Sequence, residues 1–233
     1  MDWFPLWNSL RIAGISTVIT FFLGILLAYY VARTPRVIKG VLDCLITLPM
    51  VLPPTVVGFF LLRTIGPRGI VGALVLKCFD VKLTMAWFSS IFATAIVTLP
   101  LMYRTARGAF EAFDERLAFA GRCLGLSDSY LFWRVRMPCG RQGILAGTVL
   151  AFARALGEYG ATSMVSGYIP GRTATISTSV YQFWREGNDA LAYRWVLVNL
   201  AISFVVLVAV NLMEKRLRDS RLPRALAAED GVC

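Results

Sequence analysis

Arg154 and Glu158 stand four residues apart in an otherwise apolar stretch, Gly143–Ser166. At that spacing they share one face of a helix and can form an ion pair. Charges inside a membrane-length apolar stretch are costly, face protein or water, and mark transport pathways by default. The pair therefore reads either as a pathway element or as a device that orients its helix. A second signal is Thr47-Leu-Pro-Met-Val-Leu-Pro-Pro-Thr55, where Pro49, Pro53 and Pro54 each lack an N–H. Within a helix each proline frees a carbonyl and forces a bend. Broken backbone at membrane depth is tolerated where protein buries it or where it lines a water-filled cavity. The alternative is that the prolines precede the regular part of a span. Little else could do chemistry. The chain has no His, and its five cysteines (Cys44, Cys78, Cys123, Cys139, Cys233) form an odd set without a C-x-x-C pair. They read as unlinked thiols rather than as a disulfide framework or a metal site. Glu158 has no second carboxylate near it in the sequence, so a general acid–base pair for an embedded enzyme is missing.

The elements that position these residues follow from hydropathy. Of 233 residues 57% are hydrophobic and only 16% charged, against roughly a quarter charged in ordinary soluble domains. Ile12–Ala32, Cys44–Leu62, Leu83–Tyr103 and Trp195–Met213 carry no charge, and Gly143–Ser166 carries only the pair. Each covers about 28–36 Å as a helix, enough to cross the hydrocarbon core once. The spacing predicts an all-α membrane protein with five transmembrane helices at about 12–32, 44–62, 83–103, 143–166 and 195–213. Residues 1–218 then form a single transmembrane domain with a cytoplasmic loop at 104–142 between the third and fourth spans, and 219–233 form a cytoplasmic tail. Ile70–Leu76 is too short to span and reads as part of a surface loop or an interfacial helix. The first apolar stretch exceeds a signal-peptide core, and Met1–Leu10 hold no Lys or Arg, so it is expected to stay as a helix.

The net charge of +10 follows the membrane sides and needs no nucleic acid to explain it. Arg33, Arg36, Lys39, seven arginines between Arg104 and Arg141, and five basic residues from Lys215 to Arg224 flank one side; Arg11, Arg63, Arg68, Lys77, Lys82, Arg172, Arg185 and Arg194 flank the other. The richer side is cytoplasmic, which puts the N-terminus outside and the C-terminus inside.

The loop between the third and fourth spans is too polar to cross. Leu117, Ala120 and Leu124 fall at i, i+3 and i+7, a helical stripe. Gly125 then ends that stripe as a helix C-cap would, and Ser127 can start a second short helix that stops before Pro138. Two such helices suit a partner's groove or an anionic lipid surface; the residues alone leave both open.

These residues resemble the signature of ABC-importer permeases: Glu-Ala-Ala, three residues, Gly, nine residues, then Ile-x-Leu-Pro. Ala120 stands at the first Ala, Gly125 at the Gly, Val135 at the Ile, Met137 at the Leu and Pro138 at the Pro, with no gap; Phe119 replaces the Glu and Gly121 the second Ala. The chain is further similar to molybdate-uptake permeases through Leu48-Pro-Met-Val-Leu-Pro-Pro-Thr-Val-Val-Gly58, Gly66-Pro-Arg-Gly-Ile-Val-Gly72, Ala151-Phe-Ala-Arg-Ala-Leu-Gly-Glu-Tyr-Gly-Ala-Thr162 and Gly167-Tyr-Ile-Pro-Gly-Arg-Thr173. Sulfate permeases share an Arg-Ala-x-Gly-Glu-x-Gly segment, so that piece alone does not fix the anion.

The resemblance implies the type I ABC-importer architecture in the inner membrane of a prokaryote. It implies ATPase coupling through Ala120, Gly121, Gly125, Leu126, Ser127, Val135, Met137 and Pro138. It implies a homodimer of permease chains, two ABC ATPase subunits and an extracytoplasmic molybdate-binding protein, with tungstate carried beside molybdate. No cofactor is expected on this chain, ATP and Mg²⁺ belonging to the ATPase, and the chain has no G-x-x-x-x-G-K-[ST] phosphate loop. The rival readings are a sulfate/thiosulfate ABC permease and, behind it, an ion-coupled secondary transporter, whose broken helices occur in both halves; the proline cluster occurs once here.

Overall fold

The computed structural model describes residues 2–219, so 220–233 of the expected tail lie outside the described residues. All regular structure among the described residues is helical: α1 Phe4–Ala32, α2 Arg36–Val51, α3 Pro54–Ile65, α4 Ile70–Phe79, α5 Trp87–Glu111, α6 Glu115–Cys123, α7 Asp128–Leu131, α8 Met137–Leu156, α9 Gly160–Val165, α10 Ile176–Arg185 and α11 Asp189–Asp219, with a π-helical turn at Phe132–Arg136 leading into α8. By length and composition α1 and the 189–209 part of α11 can each cross a membrane, and α2 with α3 can do so as one broken unit. At 25 and 20 residues, α5 and α8 reach about 37 and 30 Å, but interior Ser, Thr and Arg dilute their apolar character.

Every expected span changes its bounds. The first span begins at Phe4, the last runs from Asp189 to Asp219, and the loop narrows to 112–136 because α5 and α8 extend into it. Two expected spans are broken. The second is α2 and α3, set 109° apart. Leu52 and Pro53 both precede a proline, which disfavours helical backbone; both are extended (φ/ψ −71/144° and −53/135°), and Pro54 opens the first turn of α3. The fourth ends at Leu156 and resumes at Gly160. The short Ile70–Leu76 run becomes α4.

The bundle centres on α5, which packs along α1 and α8. Ile25, Ala28 and Val31 of α1 meet Met102, Tyr103, Ala106 and Phe110 of α5 and Ile144 and Ala151 of α8. A second cluster joins α3, α5 and α9 through Val57, Ala93, Val97, Ala161 and Val165. The buried side of α1 is small and partly polar (Ser9, Ala13, Ser16, Thr17, Thr20, Gly24, Ala28), whereas Phe22, Leu23, Leu26 and Tyr30 are exposed. That is the arrangement expected in lipid, where bulky apolar groups gain nothing by leaving the tails and small residues let helices approach.

Candidate functional site: the loop and the two helix breaks

Asp114 starts α6 by accepting the Arg116 N–H (2.9 Å). At the other end Gly125 N–H donates to Arg122 O (2.9 Å) and Leu126 N–H to Gly121 O (3.1 Å). These two bonds make a Schellman motif, which requires a left-handed residue; Gly125 supplies it at φ +77°. Ser127 Oγ then accepts the Tyr130 N–H (3.2 Å) and starts α7. Gly121 and Ala118 are buried, and Gly121 packs against Leu131. The expected stripe of Leu117, Ala120 and Leu124 is exposed on the side away from Leu131, and Phe119 beside it is 62% exposed. The loop thus carries an apolar face that nothing among the described residues covers. Phe119, at the position of the family's Glu, lies on it, with the Arg122 guanidinium 5.7 Å from its ring centre.

The second helix does not stop before Pro138. Helical backbone passes through the π turn into α8, and Pro138, which has no N–H to donate to the preceding turn, falls just after it. Val135 lies in the turn and Met137 opens α8. The π turn also brings in Arg136, which no motif in the sequence singles out. Its guanidinium is buried, meets Glu115 at 2.6 Å and covers the Phe113 ring at 4.7 Å. The Arg136–Glu115 pair therefore ties the start of the loop to its end, where the chain enters α8.

Arg154 and Glu158 do meet, Nη1 to Oε2 at 2.8 Å. They do not share a continuous helix as the spacing suggested. Arg154 sits in the last turn of α8, and Glu158 lies in the break, where Oε1 accepts the Ala161 N–H (2.9 Å) at the start of α9. The guanidinium N–H does not point at Oε2, so the contact is an ion pair rather than an aligned hydrogen bond. Arg154 is 37% exposed and the Glu158 side chain 1%. Glu158 is thus both counter-ion and helix cap, which fixes how α9 leaves α8.

The two breaks lie against each other. A Cβ on Gly58 would come within 2.8 Å of Ala161 Cα, and one on Gly160 within 2.8 Å of Pro54 Cβ. Backbones approach that closely only where both helices present glycine or alanine. The proline break in α3 therefore packs directly on the break that Glu158 caps. Pro49 lies inside α2 below the bend, and Pro53 and Pro54 form the bend itself. The view that the proline cluster lacks a counterpart is corrected by the second break.

Polar ties at both ends complete the frame. At the loop end, Lys39 pairs with Glu111, and Asp43 takes both the Arg107 guanidinium and the Tyr103 hydroxyl; these contacts hold α2, which has no buried residue, against α5. At the opposite end Asn8 Nδ2 donates to Ala174 O and Ile176 N–H donates to Ser9 Oγ, both at 2.9 Å. They fasten the turn after Gly167-Tyr-Ile-Pro-Gly-Arg-Thr173 to the start of α1. Thr173 folds that turn by accepting the Ile169 N–H (3.0 Å).

Residues 21–219 match the family described as binding-protein-dependent transport system inner membrane component. The molybdenum transport system permease protein ModB of Escherichia coli K12 is 35% identical over 208 residues, covering 89% of this chain and 91% of that one. The sulfate transport system permease protein CysW of Synechococcus elongatus is 34% identical over 92% of this chain and 75% of its own length. In fold, the chain is similar to one in the crystal structure of a bacterial alginate ABC transporter with its oligosaccharide-bound periplasmic protein, at 18% identity and TM-score 0.72, covering 90% of this chain and 77% of that one.

Proposed function

We propose, from the premise that this chain belongs to the family of inner membrane components of binding-protein-dependent transport systems, that it is the permease subunit of an ABC importer for molybdate, with tungstate as a second cargo. The observation that carries the substrate is the likeness to molybdenum transport permeases, 35% identity along nearly the whole of both chains. The loop geometry supports the transport mechanism. An apolar knob held by the Gly125 turn and clasped by Arg136–Glu115 suits a groove on an ATPase subunit and passes its movement straight into α8.

In this reading a binding protein delivers the anion to the end that carries Arg172, and two permease chains enclose the path between them. A dianion keeps a tightly held water shell, and one chain with five crossings offers little enclosure, so a second copy supplies the other wall. The abutting breaks of α2–α3 and α8–α9 are where irregular backbone at membrane depth has its accepted use, beside a protein-lined cavity. ATP and Mg²⁺ act on the ATPase partner, the loop end faces the cytoplasm, and the N-terminus lies outside. Arg154 is offset by Glu158, so it orients α8 and α9 rather than holding the anion.

The test is uptake by the permease reconstituted in vesicles with its ATPase and binding protein. Molybdate should accumulate only with ATP inside the compartment of the ATPase, tungstate should compete, and excess sulfate should not. Preferential sulfate uptake would move the chain to the sulfate branch that CysW represents, and uptake driven by an ion gradient without ATP would overturn the mechanism.

A further inference from the structure

On the membrane side of the loop, an open groove of about 460 Å³ runs between α1 and the stretch formed by α7 and the π turn. On α1 it is lined by Phe22, Leu26, Tyr30 and Arg33, and on the loop side by Ser129 and Trp133. Tyr29 and Phe132 form its floor, with ring centres 4.5 Å apart. We propose that this groove binds one anionic phospholipid from the leaflet at the loop end, the acyl chain along α1 and the headgroup at Arg33.

Depth argues for a lipid rather than a protein segment. From Phe22 to Arg33 the groove climbs α1 by about 16 Å at 1.5 Å per residue, close to half of the roughly 30 Å hydrocarbon core. Its lower part is wholly apolar and opens on the exposed face of α1, where Phe22, Leu26 and Tyr30 would meet lipid tails. Polar and cationic groups occur only at the upper rim, beside the exposed Trp133, a residue type that favours the headgroup level.

Charge selects the class of lipid. The Arg33 guanidinium stacks 4.0 Å from the Tyr29 ring centre and forms no ion pair among the described residues, which leaves its in-plane N–H groups for a phosphate. Asp128, the one acidic residue on the rim, is taken by Arg122 at 3.0 Å. Arg36, the first residue of α2, follows three residues later and adds to the positive charge at this end. Since the same groove is bounded by Phe132 and Trp133, a bound lipid would brace the loop from its membrane side and make coupling sensitive to anionic lipid.

The inference rests on the chain being a membrane permease and not on which anion it carries, so its failure would leave the molybdate reading standing. The experiment is native mass spectrometry of the permease–ATPase complex after exchange into equal phosphatidylglycerol and phosphatidylcholine with identical acyl chains. The wild type should retain phosphatidylglycerol preferentially. Arg33→Gln should cut that preference about fivefold, the effect of one cation beside an anionic surface, and Arg33→Lys, which keeps the charge but loses the stacked planar fork, should retain more of it than Arg33→Gln and less than the wild type. Leu26→Trp, which fills the apolar part, should lower retention of both lipids and decides the matter if Arg33→Gln fails to assemble. Equal retention of the two lipids by the wild type, or undiminished retention in Leu26→Trp, would overturn the proposal. So would a photocrosslinker at position 26 that captures the second permease copy or the ATPase instead of lipid.

Discussion

Breaking the Arg154–Glu158 pair from either side should not cost the same. Removing one member of a fully buried pair costs about 3–5 kcal/mol, because the other charge stays buried without compensation. In Arg154→Ala the stranded group is the Glu158 carboxylate, whose side chain is 1% exposed. It keeps the Ala161 N–H bond, and water already reaches the Arg154 side, so the cost falls to about 2 kcal/mol. In Glu158→Gln the amide oxygen can still cap α9, and the partly exposed Arg154 turns to water, so the cost is about 1 kcal/mol. The double variant Arg154→Ala/Glu158→Gln retains the cap and buries no charge, and should be more stable than Arg154→Ala alone. Thermal unfolding of the purified complex in nanodiscs, followed by tryptophan fluorescence, reads this order; at this chain length Arg154→Ala should lower Tm by about 4–8 °C. A double variant no better than the single would refute the argument. Arg154→Ala that melts like wild type while molybdate uptake is abolished would make Arg154 a pathway residue.

Three further outcomes follow from the same geometry. Gly125 holds φ +77°, and a Cβ there would meet nothing within 4 Å, so Gly125→Val should suffer from backbone alone, about 1–2 kcal/mol, and lose co-purifying ATPase, whereas Gly125→Asn should keep it; equal association of both would show that the turn does not present the knob. Gly58→Ala forces a Cβ to within 2.8 Å of the Ala161 backbone and should destabilise by about 1–3 kcal/mol, read as a fall in Tm, and an unchanged Tm would deny the α3–α9 crossing. A reporter fused after Cys233 should read as cytoplasmic and one inserted beside Lys77 in α4 as external; finding both on one side would refute the assigned orientation.

The sequence carried the helical class and the loop turn clearly, because both rest on local rules. A charge-free run of about 20 residues and a glycine ending an apolar stripe mean the same thing whatever surrounds them. Which face of α1 packs inward was hidden for a physical reason. In water the large apolar side would be buried, but here Ser16, Thr17 and Thr20 are inside while Phe22 and Leu26 are outside. Apolarity alone therefore gives no direction. Arg136 and the Lys39–Glu111 and Asp43–Arg107 ties were hidden by distance, since each joins elements far apart in the chain and no spacing rule connects them.

The two helix breaks show the same limit most sharply. Proline at 53 and 54 forbids continuation by itself, so the bend between α2 and α3 could be anticipated from three residues. At 157–159 no residue forbids a helix; Gly157 only weakens one, by about 1 kcal/mol relative to Ala. What makes the break worth keeping is tertiary. Glu158 recovers the lost backbone bond by capping Ala161, Arg154 compensates its charge, and Gly160 can then lie on Pro54. A straight fourth span would carry Glu158 off the start of α9 and leave the bend of α3 without its packing surface. The proline break and the glycine break are thus one feature formed from both halves of the chain. A change that straightens either should loosen the other, although the two lie about a hundred residues apart in the sequence.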